Sequence, residues 1–159
     1  GIEFAFAALS MDYGCCADAV KIVEAVHRRY LRSCQPWNHV ECGGHYSRAM
    51  SSWTPLLAAT GFKPDVPNRT LVIAPVVPGD FHAPWVTASG HGIIRRTGRA
   101  LTVSCVSGKI EFQSLKTVGY STARINGLDA AARVRANDPA ILEFPALVSL
   151  AAGQTLTLK

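Results

Sequence analysis

Up to Gly61 the apolar residues of this chain recur three and four apart, and soon after Phe62 they begin to alternate. That switch from a helical to a strand period constrains the fold more than any other feature. Helices first and antiparallel strands later describe an α+β chain with its two kinds of element in separate segments. The segments read as residues 1–62 and 63–159.

Residues 2–11 are apolar nearly all round, with Phe4, Ala7 and Ala8 on one stripe, so the expected helix is buried on most sides. Gly14 is placed to end it in a left-handed conformation. Residues 17–31 carry Val20, Val23, Val26, Tyr30 and Leu31 at helical spacing, with Lys21, Glu24, Arg28 and Arg32 outside. The order Glu24 then Arg28 adds a favourable i,i+4 pair. A third pattern, 45–60, has the stripe Tyr46, Ala49, Met50, Trp53, Leu56 and Leu57, and Pro55 should kink or split it near Ser51. Three helices carry wider apolar faces than they can bury among themselves, so the isolated chain is expected to be poorly soluble or oligomeric.

Pro64, Pro67, Pro75, Pro78 and Pro84 then mark a loop-rich crossover around a short strand at 70–74. Strands at 92–96 and 99–106 flank Thr97-Gly98, a hairpin turn, and Ser107-Gly108 reads as a second. Leu101, Val103 and Cys105 share one face, as do Ile110, Phe112 and Ser114. Further strands are expected at 121–125, 131–135, 140–144 and 155–158.

The chemistry concentrates in residues 36–53, PWNHVECGGHYSRAMSSW, which crowd aromatic, amide and charged groups around Gly43-Gly44. Aromatic faces beside polar groups suit a polar, ring-shaped ligand such as a sugar. Arg48 carries five donors in a rigid fork, suited to adjacent sugar hydroxyls or to orienting a carboxylate; the alternative is a surface arginine in an ion pair. Trp37 and Trp53 are either sugar platforms or core, and the apolar stripe favours core for Trp53. In FHAPW, His82 and Trp85 form a second aromatic patch or, more simply, a loop packing anchor. His39, Glu41 and His45 lack the spacing of a zinc helix and a fourth ligand. Cys42 beside His45 reads as a small buried thiol rather than a nucleophile. Glycoside hydrolysis needs two carboxyl groups, about 5–5.5 Å apart in retaining enzymes. The candidates Glu3, Asp12, Glu41, Asp65 and Asp80 stand in no spacing that forces a pair.

The net charge of +5 is scattered and does not interleave with aromatics, which argues against nucleic acid. The longest uncharged run, 71–79, is too short and proline-broken to span a membrane. Five cysteines without a CxxC pair suit reduced, mostly buried thiols in a cytoplasm. The chain opens at Gly1 directly into a helical pattern with no leader, which reads as a piece of a larger protein.

The block NHVECGGHYSRAMSSW resembles the N-E-I-E-C-G-x-H-Y-x-R-x-M-x-S-W/Y block of glycoside hydrolase family 116, the β-glucosidase and non-lysosomal glucosylceramidase family. GIEFAFAALSMDYG resembles that family's G-x-E-Y-x-x-A-A helix, and AVKIVEAVHRRY its A-L-x-I-V-x-A-V-R-x-R-Y helix. SGKIEFQSLKTV resembles the β-structured tail that closes such enzymes, so the likeness covers residues 1 to 117 well and the rest loosely. The resemblance implies the last helices of an (α/α)6 barrel followed by an antiparallel β-rich C-terminal segment. It implies a retaining two-carboxylate enzyme that uses no cofactor or metal, with acid and nucleophile in the missing N-terminal part of the parent. The chain alone is then inactive. Arg48 matches the family arginine that hydrogen-bonds glucose hydroxyls. Its companion, the first glutamate of the block, is His39 here, and Glu41 matches the second. Imidazole cannot replace a bidentate carboxylate acceptor, so the resemblance implies a glycone shifted towards xylose or N-acetylglucosamine. The expected substrate-binding set is Arg48, His39, Glu41, His45 and Trp37, and the ligand is the sugar of a β-glycoside or glycolipid. The competing reading is a non-catalytic carbohydrate-binding or assembly module derived from such a barrel. Lyase or phosphorylase chemistry suits the architecture but not the block.

Overall fold

A computed structural model describes residues 1–34 and 47–159, with 47–49 and 139 described by backbone alone. The chain divides into two compact units, Gly1–Thr60 with Pro75–Val77, and Gly61–Ala74 with Pro78–Lys159.

In the first unit α1 spans Ile2–Asp12, α2 Cys16–Arg32 and α3 Trp53–Thr60, with a 3₁₀ helix at Ser47–Ser52. Gly14 ends α1 as its sequence position requires. Its φ is +82°, its N–H reaches the Met11 carbonyl (3.0 Å) and the Cys15 N–H reaches Ser10 (2.8 Å), the paired bonds of a Schellman cap. Pro55 sits in the first turn of α3, where its missing N–H costs no helical bond. The single helical pattern of the sequence is therefore split into a 3₁₀ and an α segment at Ser52/Trp53. The Thr54 hydroxyl donates to the Ser51 carbonyl at the junction (2.6 Å), and the Ser51 hydroxyl to the Gly1 carbonyl (2.9 Å).

The helices meet through small residues. Ala7, Ala8, Met11, Ala19 and Ala58 form the core cluster, with Ile22 and Val23 beside it. Glu3 of α1 pairs with Arg29 of α2, and Glu24 pairs with Arg28 along α2. The large side chains point the other way. Ile2, Phe6, Leu9 and Tyr13 run along one exposed stripe of α1, and Met50, Trp53 and Leu57 are exposed as well. The α1 stripe read from the sequence does face inward, with Ala7 and Ala8 buried and Phe4 half-buried, whereas Met50, Trp53 and Leu57 of the third stripe face outward.

The second unit holds ten strands in one sheet: β1 (Phe62–Asp65), β2 (Thr70–Ile73), β3 (Phe81–Val86), β4 (Gly90–Thr97), β5 (Ala100–Lys116), β6 (Ala123–Ile125), β7 (Leu128–Asp129), β8 (Arg133–Arg135), β9 (Asp138–Ala151) and β10 (Thr155–Leu158). The 17-residue β5 is its spine. Its first half pairs antiparallel with β4 and β10, and its second half pairs with β9 antiparallel and with β2 parallel. Strand β3 extends the first group through β4, and β6 and β7 extend it through β10. Strands β1 and β8 close the second group. Side chains from both groups enter one core, with Trp85, Phe112, Leu71, Leu101, Leu142 and Leu156 among its fully buried members.

The hairpin expected at Ser107-Gly108 is not there. Gly108 takes φ +71° and bends β5 without reversing it. Its carbonyl and that of Cys105 accept the N–H groups of Ala152 and Gly153 (3.0 and 2.9 Å) from the β9–β10 turn. Buried positions change parity across the bend, from 101, 103 and 105 to 110 and 112. They change again to Leu115 across the irregularity between Phe112 and Ser114, so Ser114 leaves the buried face. The turn of the β4–β5 hairpin is Gly98-Arg99, one residue on from Thr97-Gly98, because Thr97 pairs with Ala100. FHAPW is β3, not a loop: Trp85 is 1% exposed, stacks on Phe62 at 5.6 Å and donates its indole N–H to the Ser104 carbonyl (3.0 Å).

The described residues overturn the expected fold. Ten strands and three short helices make a mixed sheet with a small helical unit, not the end of an (α/α)6 barrel. Such a barrel is built from helices alone, whereas here α3 is only eight residues long and β1 follows it almost at once. Helical spacing fixes the local conformation of residues 2–32, but it does not say how many further helices pack beside them.

Candidate functional site

Of the expected sugar-binding residues, Trp37, His39, Glu41 and His45 lie outside the described residues, as do Cys42 and the Gly43-Gly44 pair. Arg48 is described by its backbone, in the 3₁₀ helix Ser47–Ser52. Directly after it comes Trp53, the first residue of α3, with 60% of its surface exposed. Its apolar neighbours in sequence argue for core, but α3 contributes Ala58 to the core cluster and Trp53 stays outside it. Trp53 is therefore available as a flat aromatic face five residues beyond Arg48, and it joins the candidate residues although its apolar stripe points to core.

The described carboxylates are engaged structurally. Glu3, Asp18, Glu24, Glu111 and Glu143 each pair with a lysine or arginine. Asp65 accepts from the Asn68 side chain (2.8 Å), and Asp80, Asp129 and Asp138 accept backbone N–H groups at turns. Asp65 and Glu111 line one small cavity of about 100 Å³ with Thr70, Thr87 and Ser89. There the Thr87 hydroxyl donates to the Gly90 carbonyl and the Ser89 hydroxyl to the Lys109 carbonyl, so the cavity's polar groups already hold the strands together. A general acid needs a carboxyl raised towards neutrality. The Glu111 carboxyl goes the other way: a hydrogen bond from Lys109 holds it below the ordinary glutamate value, against a desolvation that pushes it up. Asp18 is likewise lowered by a hydrogen bond from Lys21.

Among the described residues no group of three histidine, cysteine or acidic side chains could hold a metal ion. No described helix is long and apolar enough to cross a membrane. Of the four described cysteines, all free, only Cys105 is buried, and Cys15 and Cys34 are exposed, so the expectation of mostly buried thiols does not hold. The Cys105 thiol sits at the bend of β5 near the Ser107 and Gly108 carbonyls (3.5 and 3.4 Å). His82, on β3, is exposed.

No protein-family model matches the chain, and no curated protein matches it.

Proposed function

We propose that this chain is the sugar-binding portion of a retaining β-glycoside hydrolase, with the catalytic acid and nucleophile supplied by another part of the parent enzyme. The observation that carries the reading is the residue block 38–53, where Arg48 is followed by the exposed indole of Trp53. A guanidinium fork and an aromatic face are the two groups that bind a pyranose, the first through adjacent hydroxyls and the second through its apolar face. The structural engagement of the described carboxylates supports placing the acid and nucleophile elsewhere. In the complete enzyme, Arg48→Ala is expected to lower kcat/KM for the preferred aryl β-glycoside by about a hundredfold, the scale of one lost charge-assisted hydrogen-bond pair. Trp53→Ala is expected to lower it less. Unchanged kcat/KM in Arg48→Ala, or turnover of an aryl β-glycoside by the 159-residue chain alone, overturns the reading. With His39 in place of the family glutamate, a panel of aryl β-glycosides is expected to show xylose or N-acetylglucosamine ahead of glucose.

The rest of the parent enzyme is the partner this reading requires, and α1 offers the surface for it. Ile2, Phe6, Leu9 and Tyr13 lie at i, i+4, i+7 and i+11 and are all more than half exposed. Large apolar side chains exposed on one stripe mark an association surface. Expressed alone, the chain should run as assemblies in size-exclusion chromatography, and Phe6→Ser with Leu9→Ser should return it to monomer. A monomeric unsubstituted chain would remove the support that α1 lends.

A further inference from the structure

The described strands with a single described partner are β1, β3, β7 and β8, and β3, at six residues, is the longest of them. A long open edge is a template for another strand. The register of β3 shows which of its backbone groups line that edge. At the mouth of the β3–β4 hairpin the Thr87 N–H donates to the Gly90 carbonyl (2.9 Å). Bonded and non-bonded pairs alternate along an antiparallel ladder. Trp85–Gly92, Ala83–Ile94 and Phe81–Arg96 are therefore the bonded pairs, and Val86–His91, Pro84–Ile93 and His82–Arg95 the non-bonded ones. The backbone groups of His82, Pro84 and Val86 consequently point away from β4, to the open edge, where they have no described partner.

Apart from Pro84, this edge suits strand addition. Its exposed positions alternate with buried Ala83 and Trp85, and Val86 and the adjacent Ile93 of β4 leave an apolar patch 66% and 39% exposed. A second copy of the chain offers the same edge, and a two-fold pairing centred on residue 84 would set His82 against Val86 and Pro84 against its own copy. Pro84 has no N–H, so both bonds of that central pair are lost. Its ring also stands where the partner's carbonyl would approach.

We propose that Pro84 bars β3 from adding a strand of a second copy, which leaves self-association of this chain to its helical unit. The first half rests on the strand unit alone, and the second rests on the association proposed for α1.

The test uses the whole chain carrying Phe6→Ser and Leu9→Ser, which separates the edge from the α1 stripe. Adding Pro84→Thr restores the missing N–H with a polar side chain, and is expected to shift the chain from the monomer to the dimer elution volume as concentration rises. The His82 and Val86 amides, fast in hydrogen exchange before the change, should become protected with it. A further Val86→Pro places a proline at another outward-facing position, costs no bond to β4, and should return the monomer. Pro84→Ala, the smallest side chain that restores the N–H, should associate in the same manner and guards against a threonine variant that misfolds. Monomers at every concentration for both the threonine and the alanine variant overturn the proposal. So does slow exchange of the His82 or Val86 amide while Pro84 is in place, or association of the variants without protection of those two amides. Failure of Phe6→Ser and Leu9→Ser to alter the assembly of the unsubstituted chain counts against the α1 reading, and the exchange of the two β3 amides still decides the edge.

Discussion

The two units solve burial in opposite ways. The strand unit fills its interior with Trp85, Phe112, Ile94 and a set of leucines at or near zero exposure. The helical unit buries alanines, Met11 and Val26 and turns Phe6, Leu9, Tyr13 and Trp53 outward. Alanines let helices approach closely but bury little apolar area, at about 25 cal/mol per Å² of stabilisation. The first unit is thus shaped for a surface it does not itself provide, whereas the second carries its own core.

Removing one large aromatic from each unit should have very unequal effects. Trp85→Ala removes the largest fully buried side chain and its bond to Ser104, and should cost about 3–5 kcal/mol in chemical denaturation. Phe6→Ala, at a residue 57% exposed, should change stability by less than about 0.5 kcal/mol. Equal losses would show that the helical unit depends on its stripe for its own folding.

Gly92→Ala probes how tightly the strand unit is closed. A Cβ there would stand 1.8 Å from the Ser104 carbonyl oxygen and 2.6 Å from the Trp85 indole nitrogen, at the bulge between His91 and Gly92. The strand must shift to admit it, at a cost of about 1–3 kcal/mol. The same change at Gly14 meets open space, and only its φ of +82° resists, so about 1 kcal/mol is expected from the lost left-handed cap. A Gly92→Ala loss no larger than that at Gly14 would sink the close-packing account.

The smallest effect concerns the surface of the strand unit. The hydrogen bond from Lys109 lowers the Glu111 carboxyl, so its contribution is present above the ordinary glutamate value and is lost as pH falls through the lowered one. The pair is exposed and small in energy, so the readout is the carboxyl carbon shift in an acid titration. Its midpoint should lie below that of a free glutamate and rise in Lys109→Ala. A midpoint unmoved by Lys109→Ala would remove the pair from the account.

Much of the local structure was legible in the residues. Gly14 specified the end of α1, the run Leu101, Val103, Cys105 specified a buried strand face, and the alternation at 155–158 specified β10. These depend on neighbours along the chain. The bend of β5 was not legible, because Ser107-Gly108 has the composition of a hairpin turn. Only the β9–β10 turn, more than forty residues on, bonds the carbonyls that keep the strand running. Trp85 was read as a loop anchor because Pro84 beside it suggested a break. The proline in fact sits within β3 at a position paired with Ile93, and β3 has no partner on its other side among the described strands. Of the candidate site, the sequence supplied Arg48 and its block, while the exposure of Trp53 appeared only with the structure.

The periods, the caps and the division into helix-forming and strand-forming segments follow from the residues alone, because those rest on interactions a few residues apart. The tertiary structure decided which face of each helix is inside, that β5 serves two strand groups, and that Arg96, Arg99 and Lys159 meet at one groove. Arg96 and Lys159 stand sixty-three positions apart in the chain. They come together because β10 pairs with the first half of β5, next to the strand that carries Arg96, and no local pattern encodes that pairing.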